Sequence, residues 1–469
     1  MCALLRLFLG AARACERRAL DITHGVVVPT MAERDGDFSV DAPILLNSTR
    51  VPFGNNLSGQ VNAITAKYLQ FFPIPNSPEN PHSAQTTNQS QYNSDQGGIK
   101  ADWLPRNADV LSARYSYSTA ALLSPYSELG ADVPGFPVGY YTDTHLGGLT
   151  ETHTFSVHTV LAANVSFFQN HILLDKRFSG FSPQAFGFGF GSTWASATGA
   201  PLIMTQGYSN VGDPIINPRD TIQNDFAFSA NVAHTQSKHV TSFGSQFRRT
   251  QINGYQTNFA SGTFSFTAQG YTNNSLANFL LGKPDIFTQA GGDFTRDLRG
   301  WELGSYVQDE YRLGSKLTLN YGARYEITTP FDDIHNRLMA FAPGQQSVVH
   351  PTAPAGLLFP GDPGVPSTIA PIFKGDVAPR VGFAWDPRGN GHTVIRSAYG
   401  LFYDELVNGG GMPMRGASSA LPQTVVRTLT GAINYSNPLA AVSNPFTSGQ
   451  FALPASTFTI NRNLLPPYT

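Results

Sequence analysis

Residues 317–326 read LTLNYGARYE, and the stretch alternates without a break. Leu317, Leu319, Tyr321, Ala323 and Tyr325 are apolar or aromatic, whereas Thr318, Asn320, Gly322, Arg324 and Glu326 are polar or tiny. A period of two is that of a β-strand with one apolar face. In a soluble sheet that face meets a core. In an outer-membrane barrel it meets lipid, and Arg324 and Glu326 then look into a wet interior.

The same pattern recurs along the chain. Leu111, Ala113, Tyr115 and Tyr117 alternate with Ser112, Arg114, Ser116 and Ser118. Similar runs cover 161–168, 226–233 and 380–386, and Ile395, Tyr399, Leu401 and Tyr403 oppose Arg396, Gly400 and Asp404. Short polar turns join several of these in pairs: Ser156–His158, Thr235–Lys238, Leu313–Lys316 and Pro387–His392. Between pairs lie long Gly-, Pro-, Ser- and Asn-rich stretches at 172–220, 328–376 and 406–469. Short turns at one end and long loops at the other are the asymmetry of an outer-membrane barrel. In a small soluble domain, structureless loops of that length would argue against the assignment.

Composition sharpens the choice. Charged residues are only 13%, against about 25% in ordinary soluble domains. Mean hydropathy is −0.16, and no apolar run reaches the roughly 18 residues of a membrane helix. Strands of alternating polarity cross a bilayer without raising mean hydropathy. The formal net charge of −2 leaves no basic footprint for nucleic acid. The two cysteines, Cys2 and Cys15, support neither a disulfide framework nor a cysteine metal site. Residues 1–26 make a poor signal peptide: Arg6 interrupts the apolar run, and Arg13-Ala14 before Cys15 is no lipobox. This segment is read as an atypical start, and residues 27–469 as one unit.

One element has helical spacing. Ser58 is expected to cap a helix with Val61, Ile64, Tyr68 and Phe72 on one face, ended by Pro73. Chemical motifs are sparse. His153 and His158 flank a turn with no third ligand nearby in sequence, so no metal site is assigned. FGFGFG at 186–191 lacks the Lys-Ser/Thr of a phosphate loop and is expected to be a flexible extracellular loop. Asp404-Glu405 and Asp332-Asp333 sit where strands enter loops, the usual place for solvated charge rather than acid–base chemistry. Gly409–Gly411 reads as loop punctuation. No catalytic, cofactor-binding or metal residue is assigned, and ligand-contacting residues are not nameable.

Several motifs in order carry a resemblance: VPTMAERDGDFS (28–39), VPFGNN (51–56), ITAKYLQFFPIPN (64–76), DVLSARYSYS (109–118), ETHTFSVHTVLAANVSF (151–167) and KHVTSFGSQFRR (238–249). GTFSFTAQGYTNNSLANFLLGKP (262–284), residues 301–333, 378–405 and the closing NRNLLPPYT continue it. Together they resemble Oar-like TonB-dependent receptors. That resemblance implies an all-β, transmembrane antiparallel barrel in the outer membrane of a Gram-negative-type bacterium. Family members usually carry a regulatory domain, a plug and a barrel of about 22 strands. Here no plug, TonB box or regulatory domain is recognisable, Asn278 stands where the family usually has Asp, and Pro466-Pro467 opposes a closing strand. About ten strands are expected, roughly half such a barrel, so the chain reads as an incomplete barrel.

The implied function is that of a receptor or transporter barrel, binding or importing a large ligand such as a metal chelate, glycan or peptide. Its partners would be outer-membrane lipid and, in the intact family protein, the TonB energy-transducing complex. Binding is expected to concentrate in the long loops. A β-rich surface adhesion or glycan-binding module is the alternative, and a β-rich glycan-active enzyme is a weaker third. On the barrel reading, Tyr321 sits near the bilayer middle, with Leu317 and Tyr325 near the interfaces.

Overall fold

Among the described residues eleven strands run up and down in one meander. They are β1 (Phe8–Val27), β2 (Ser83–Arg106), β3 (Asp109–Ser124), β4 (Val138–Ser156), β5 (Thr159–Asp175), β6 (Arg219–Gln236), β7 (His239–Gln256), β8 (Thr295–Arg312), β9 (Leu317–Thr328), β10 (Asp376–Trp385) and β11 (Ile395–Gly400). Every neighbouring pair is antiparallel. The computed structural model describes residues 8–127, 129–175, 180–195, 198–216, 218–403 and 422–442, with Phe446, Phe451 and Tyr468. Asp404-Glu405, Gly409–Gly411 and most of the closing stretch lie outside these. Among the described residues the wall stays open, with β1 and β11 at its two edges.

All the short connections fall at one end of the wall: residues 107–108, 157–158, 237–238, 313–316 and 386–394. All the long ones fall at the other: 28–82, 125–137, 176–218, 257–294 and 329–375. At the tightest turn Ser237 takes φ +56°. At 386–394 the Asp386 carboxylate accepts the backbone N–H groups of Arg388, Gly389 and Gly391, an Asx-type turn in which both glycines have φ above +70°.

The structure adds a strand near the start and moves the cap of the expected helix. Residues 8–27 are a regular strand, paired with β2 from Phe8↔Asp102 to Val27↔Ser83. Cys15 lies mid-strand opposite Asp95. The helix runs Ala63–Leu69 and its cap is Asn62, whose side chain accepts from Ile64 N–H at 2.9 Å. Ser58 instead donates to the Asp35 carbonyl. The helical face is as expected, with Ile64, Tyr68 and Phe72 buried.

The long connections are not structureless. Connections one to four, with Tyr435 and Leu439, share a single apolar core that includes Phe38, Tyr68, Phe136, Phe186, Phe264 and Phe279. Inside it Tyr68 stacks on Phe186 at 4.2 Å and Phe188 on Phe264 at 5.2 Å, offset aromatic contacts that add to simple burial. A four-stranded sheet of residues 424–430, 286–292, 263–266 and 202–205 braces this layer. Phe186 and Phe188 are 3% exposed, so FGFGFG belongs to a packed core rather than a flexible loop. The fifth connection builds its own smaller clusters around Phe359 and Leu358.

The motif VPTMAERDGDFS anchors the layer to the wall. Thr30 and Glu33 form a reciprocal capping box. Arg34 donates to the carbonyls of Pro29, Phe72 and Pro73. Gly36 has φ +84°, and a Cβ there would meet the Leu57 backbone at 2.7 Å, so no other residue fits.

Candidate functional site

The register assigns each side chain to one face of the wall. One face carries Leu149, Val165, Phe226, Phe228, Phe243, Phe247, Leu303, Val307, Val381 and Phe383, all exposed. They are mutual neighbours through pairs such as Val165↔Phe228, Phe228↔Phe247, Phe247↔Leu303 and Tyr321↔Val381. An exposed apolar surface of that extent requires a nonaqueous partner.

The opposite face is polar and rich in arginine. Arg248 pairs with Glu302 across strands. Arg324 pairs with Glu326 at 2.5 Å, and Lys100 with Asp102 at 2.8 Å. Tyr306 donates to Asn231 at 3.1 Å. Arg114 and Arg396 lie on the same face with no ion-pair partner among the described residues, and Arg380 packs its guanidinium over Phe402 at 4.6 Å. Alternation alone placed Arg324 and Glu326 here. The pairing of Arg248 with Glu302 was not readable, because the two lie far apart in sequence and meet only through register.

The face of exposed apolar residues has polar margins. Toward the short turns, Asp309 accepts from Tyr321 at 2.7 Å and Thr241 at 3.1 Å, and bonds His239 at 2.6 Å. Toward the loops, one register row reads His145, Gln169, Asn224, Gln251 and Arg299. Most of the apolar residues lie in the rows between, beside Ser245, Ser305 and Arg249. A band of apolar strand bounded by polar rows is the pattern of a bilayer-spanning wall.

A model of the outer membrane beta barrel domain matches residues 7–469. The chain belongs to that family. It is therefore an all-β outer-membrane protein, with the apolar face toward lipid and the arginine-rich face toward the interior. Among solved structures, this barrel chain is similar to the outer membrane transporter YddB from Escherichia coli, at 10% identity and TM-score 0.46, over 99% of this chain and 42% of that one. It is also similar to the ferric-catecholate import receptor Fiu from K12 E. coli, at 13% identity and TM-score 0.40, over 73% and 53%. The P. aeruginosa receptor FpvA matches at 12% identity and TM-score 0.38, over 68% and 37%. The chain thus spans about half or less of these proteins. No curated protein matches.

Other sequence candidates resolve locally. His153 pairs with Asp109 across β3 and β4 rather than with His158. With Glu151 it forms the one group among the described residues whose metal-ligating atoms lie within 4.8 Å of one another. It sits at the short-turn margin. Asp332 and Asp333 do not act together. Asp333 is 1% exposed and takes a forked contact from Arg337, both bonds 3.0 Å. Arg337 also reaches Asp297 at 2.9 Å and Asp293 at 3.3 Å. This ties the fifth connection to the start of β8. Burial pushes the Asp333 carboxyl up, but these bonds outweigh it and hold it below the ordinary value.

Proposed function

We propose that the chain is part of the barrel of a TonB-dependent receptor, and that it binds or imports a large ligand without enzymatic chemistry. The observation that carries this is the joint packing of the loops. Connections one to four share one aromatic core on the long-loop side of the wall, which makes a rigid rim rather than independent loops. Rigid surfaces bind with less ordering cost than flexible ones. The motif order from VPTMAERDGDFS to FDD supports the receptor family. The arginines of the inner face suit a ligand or plug surface of acidic character. On this reading the wall is completed by further strands, residues 27–469 are barrel together with β1, and energy coupling belongs to the intact protein.

The test uses cells of the native host. Binding of ferric chelates, oligosaccharides and peptides is measured with and without deletion of residues 345–365, before and after proton uncoupling. The expected result is that one ligand class loses binding on deletion and loses uptake, but not binding, on uncoupling. Uptake indifferent to uncoupling would overturn the receptor reading.

A further inference from the structure

Three metal-ligating side chains meet at the short-turn margin of the lipid-facing surface. They stand on neighbouring strands, β3 and β4, which are paired on their outer sides with β2 and β5. Asp109 opens β3 directly opposite His153 of β4. Glu151, two residues earlier on β4 and opposite Leu111, shares that face. One ligand atom from each residue lies within 4.8 Å of the other two. Register brings His153 Nδ1 into contact with the Asp109 carboxylate. The Phe155 ring packs edge-on against the imidazole at 4.3 Å and fixes its plane.

The group is not balanced by its neighbours. Its two carboxylates lie beside the apolar band, where unpaired charge is costly. Glu151 has no hydrogen bond or ion pair among the described residues. Arg106 is the cation in register with Asp109, and it makes no ion pair with it. One divalent ion would offset both carboxylates and take the imidazole as its nitrogen ligand. One nitrogen and two carboxylate oxygens suit zinc and its first-row neighbours, whereas calcium and magnesium prefer oxygen alone. An ion with bonds near 2.1 Å holds tetrahedral ligand atoms about 3.4 Å apart. Rotation of the exposed Glu151 side chain closes the set to that spacing.

We propose that Asp109, Glu151 and His153 bind one divalent transition-metal cation, with water completing its shell. The ion clips hairpin β2–β3 to hairpin β4–β5 beside their turns. This assignment stands apart from the receptor reading, since it uses only strands of the wall.

The test takes the protein from outer membranes of its native host, the gene carrying a histidine-free tag in place, so that the wall is the one the cell assembles. The detergent-solubilised protein is stripped with chelator, then titrated with Zn²⁺ in excess Ca²⁺ and Mg²⁺, and bound zinc is measured per chain. The parent should hold one equivalent more than His153→Gln. Glu151→Gln, a change at an exposed side chain that leaves folding intact, should weaken the site by at least the roughly 10–100-fold that loss of an outer-shell partner costs. His153→Cys, which supplies another zinc ligand, should keep the site. His158→Gln, in the adjoining turn, should leave it unchanged. Equal zinc in the parent and His153→Gln, affinity unmoved by Glu151→Gln, or displacement of the zinc by Ca²⁺ would overturn the proposal.

Discussion

The hydroxyl of Tyr321 donates to the carboxylate of Asp309 at 2.7 Å, and the two residues are direct cross-strand neighbours on the lipid-facing surface. A carboxylate held also by His239 and Thr241 belongs at an interface, not at the bilayer middle. Tyr321 therefore marks the short-turn margin. The expectation that it sits mid-bilayer fails for this reason. The centre of the apolar band falls instead near Phe228 and Phe247 on β6 and β7.

Depth dependence follows. In a barrel completed by fusing the missing strands and refolded into lipid vesicles, Phe228→Arg should cost about 2–4 kcal/mol, whereas Tyr321→Arg should cost about 1 kcal/mol or less, because the new cation meets Asp309. Urea titrations in vesicles measure both. Equal costs would contradict this placement of the band. In water without detergent or lipid, the chain should aggregate through the exposed apolar face and the two open edges.

Asn278 is fully buried, and its amide is fully used. Its oxygen accepts from the Thr272 N–H and hydroxyl, both at 2.8 Å, and its nitrogen donates to the carbonyls of Thr267 and Thr272 at 2.9 and 3.0 Å. An aspartate has no N–H groups to offer those carbonyls. Asn278→Asp should destabilise the loop layer by roughly 1–3 kcal/mol, read as faster hydrogen exchange in 263–281 with strands β6 and β7 unchanged.

Arg337 is the joint between the fifth connection and β8. Lysine keeps the charge but loses the forked contact to Asp333. Arg337→Lys should therefore cost nearly as much as Arg337→Ala, each on the order of 1–3 kcal/mol. Protease nicking within 333–345 measures it. Protection by lysine equal to that of arginine would show that charge alone suffices.

Asp362 gives the fifth connection a pH dependence. Burial alone would push its carboxyl up. Hydrogen bonds from Val349, Ser347, Phe359 and Val348 outweigh that and hold it below the ordinary aspartate value. A depressed carboxyl favours the folded loop above the unfolded value of about 3.9 and loses that contribution as pH falls through the folded one. Loop protection should thus be full above about pH 5 and decline below it. In Asp362→Asn the profile should flatten, with cleavage raised on the order of tenfold at neutral pH.

Strands whose outer face touches lipid were legible, since lipid imposes strict alternation. Residues 109–118, 161–168, 226–233 and 317–326 all fall within observed strands. β2 was not legible. Its stretch SAQTTNQSQYNSDQ is polar on both faces, because the loop-side half of the strand stands beyond the apolar band and meets water on either side. The 18 residues of β6 reach about 45 Å at a 40° tilt, well over the apolar band of about 25 Å. β1 was missed where Arg13, Glu16, Arg17 and Arg18 break its alternation. Here the outward Arg13 and Arg17 are matched by Asp95 of β2, a cross-strand partner that a single strand cannot reveal. The loop core was hidden for a different reason. Its members are scattered across four connections and have no local period to announce them.

Among the described residues the meander has an odd number of strands. Ten successive antiparallel steps separate β1 from β11, so the two edges of the wall point the same way. Bent round upon itself, the wall would have to join them as parallel strands. Two copies placed side by side in one membrane orientation would meet in the same mismatch at both seams. Bacterial single-chain barrels have even strand counts and antiparallel closure throughout. An even ring around this wall therefore takes an odd number of added strands, the outermost two both running opposite to β1. Any segment that completes the ring must satisfy that parity before its side chains are considered.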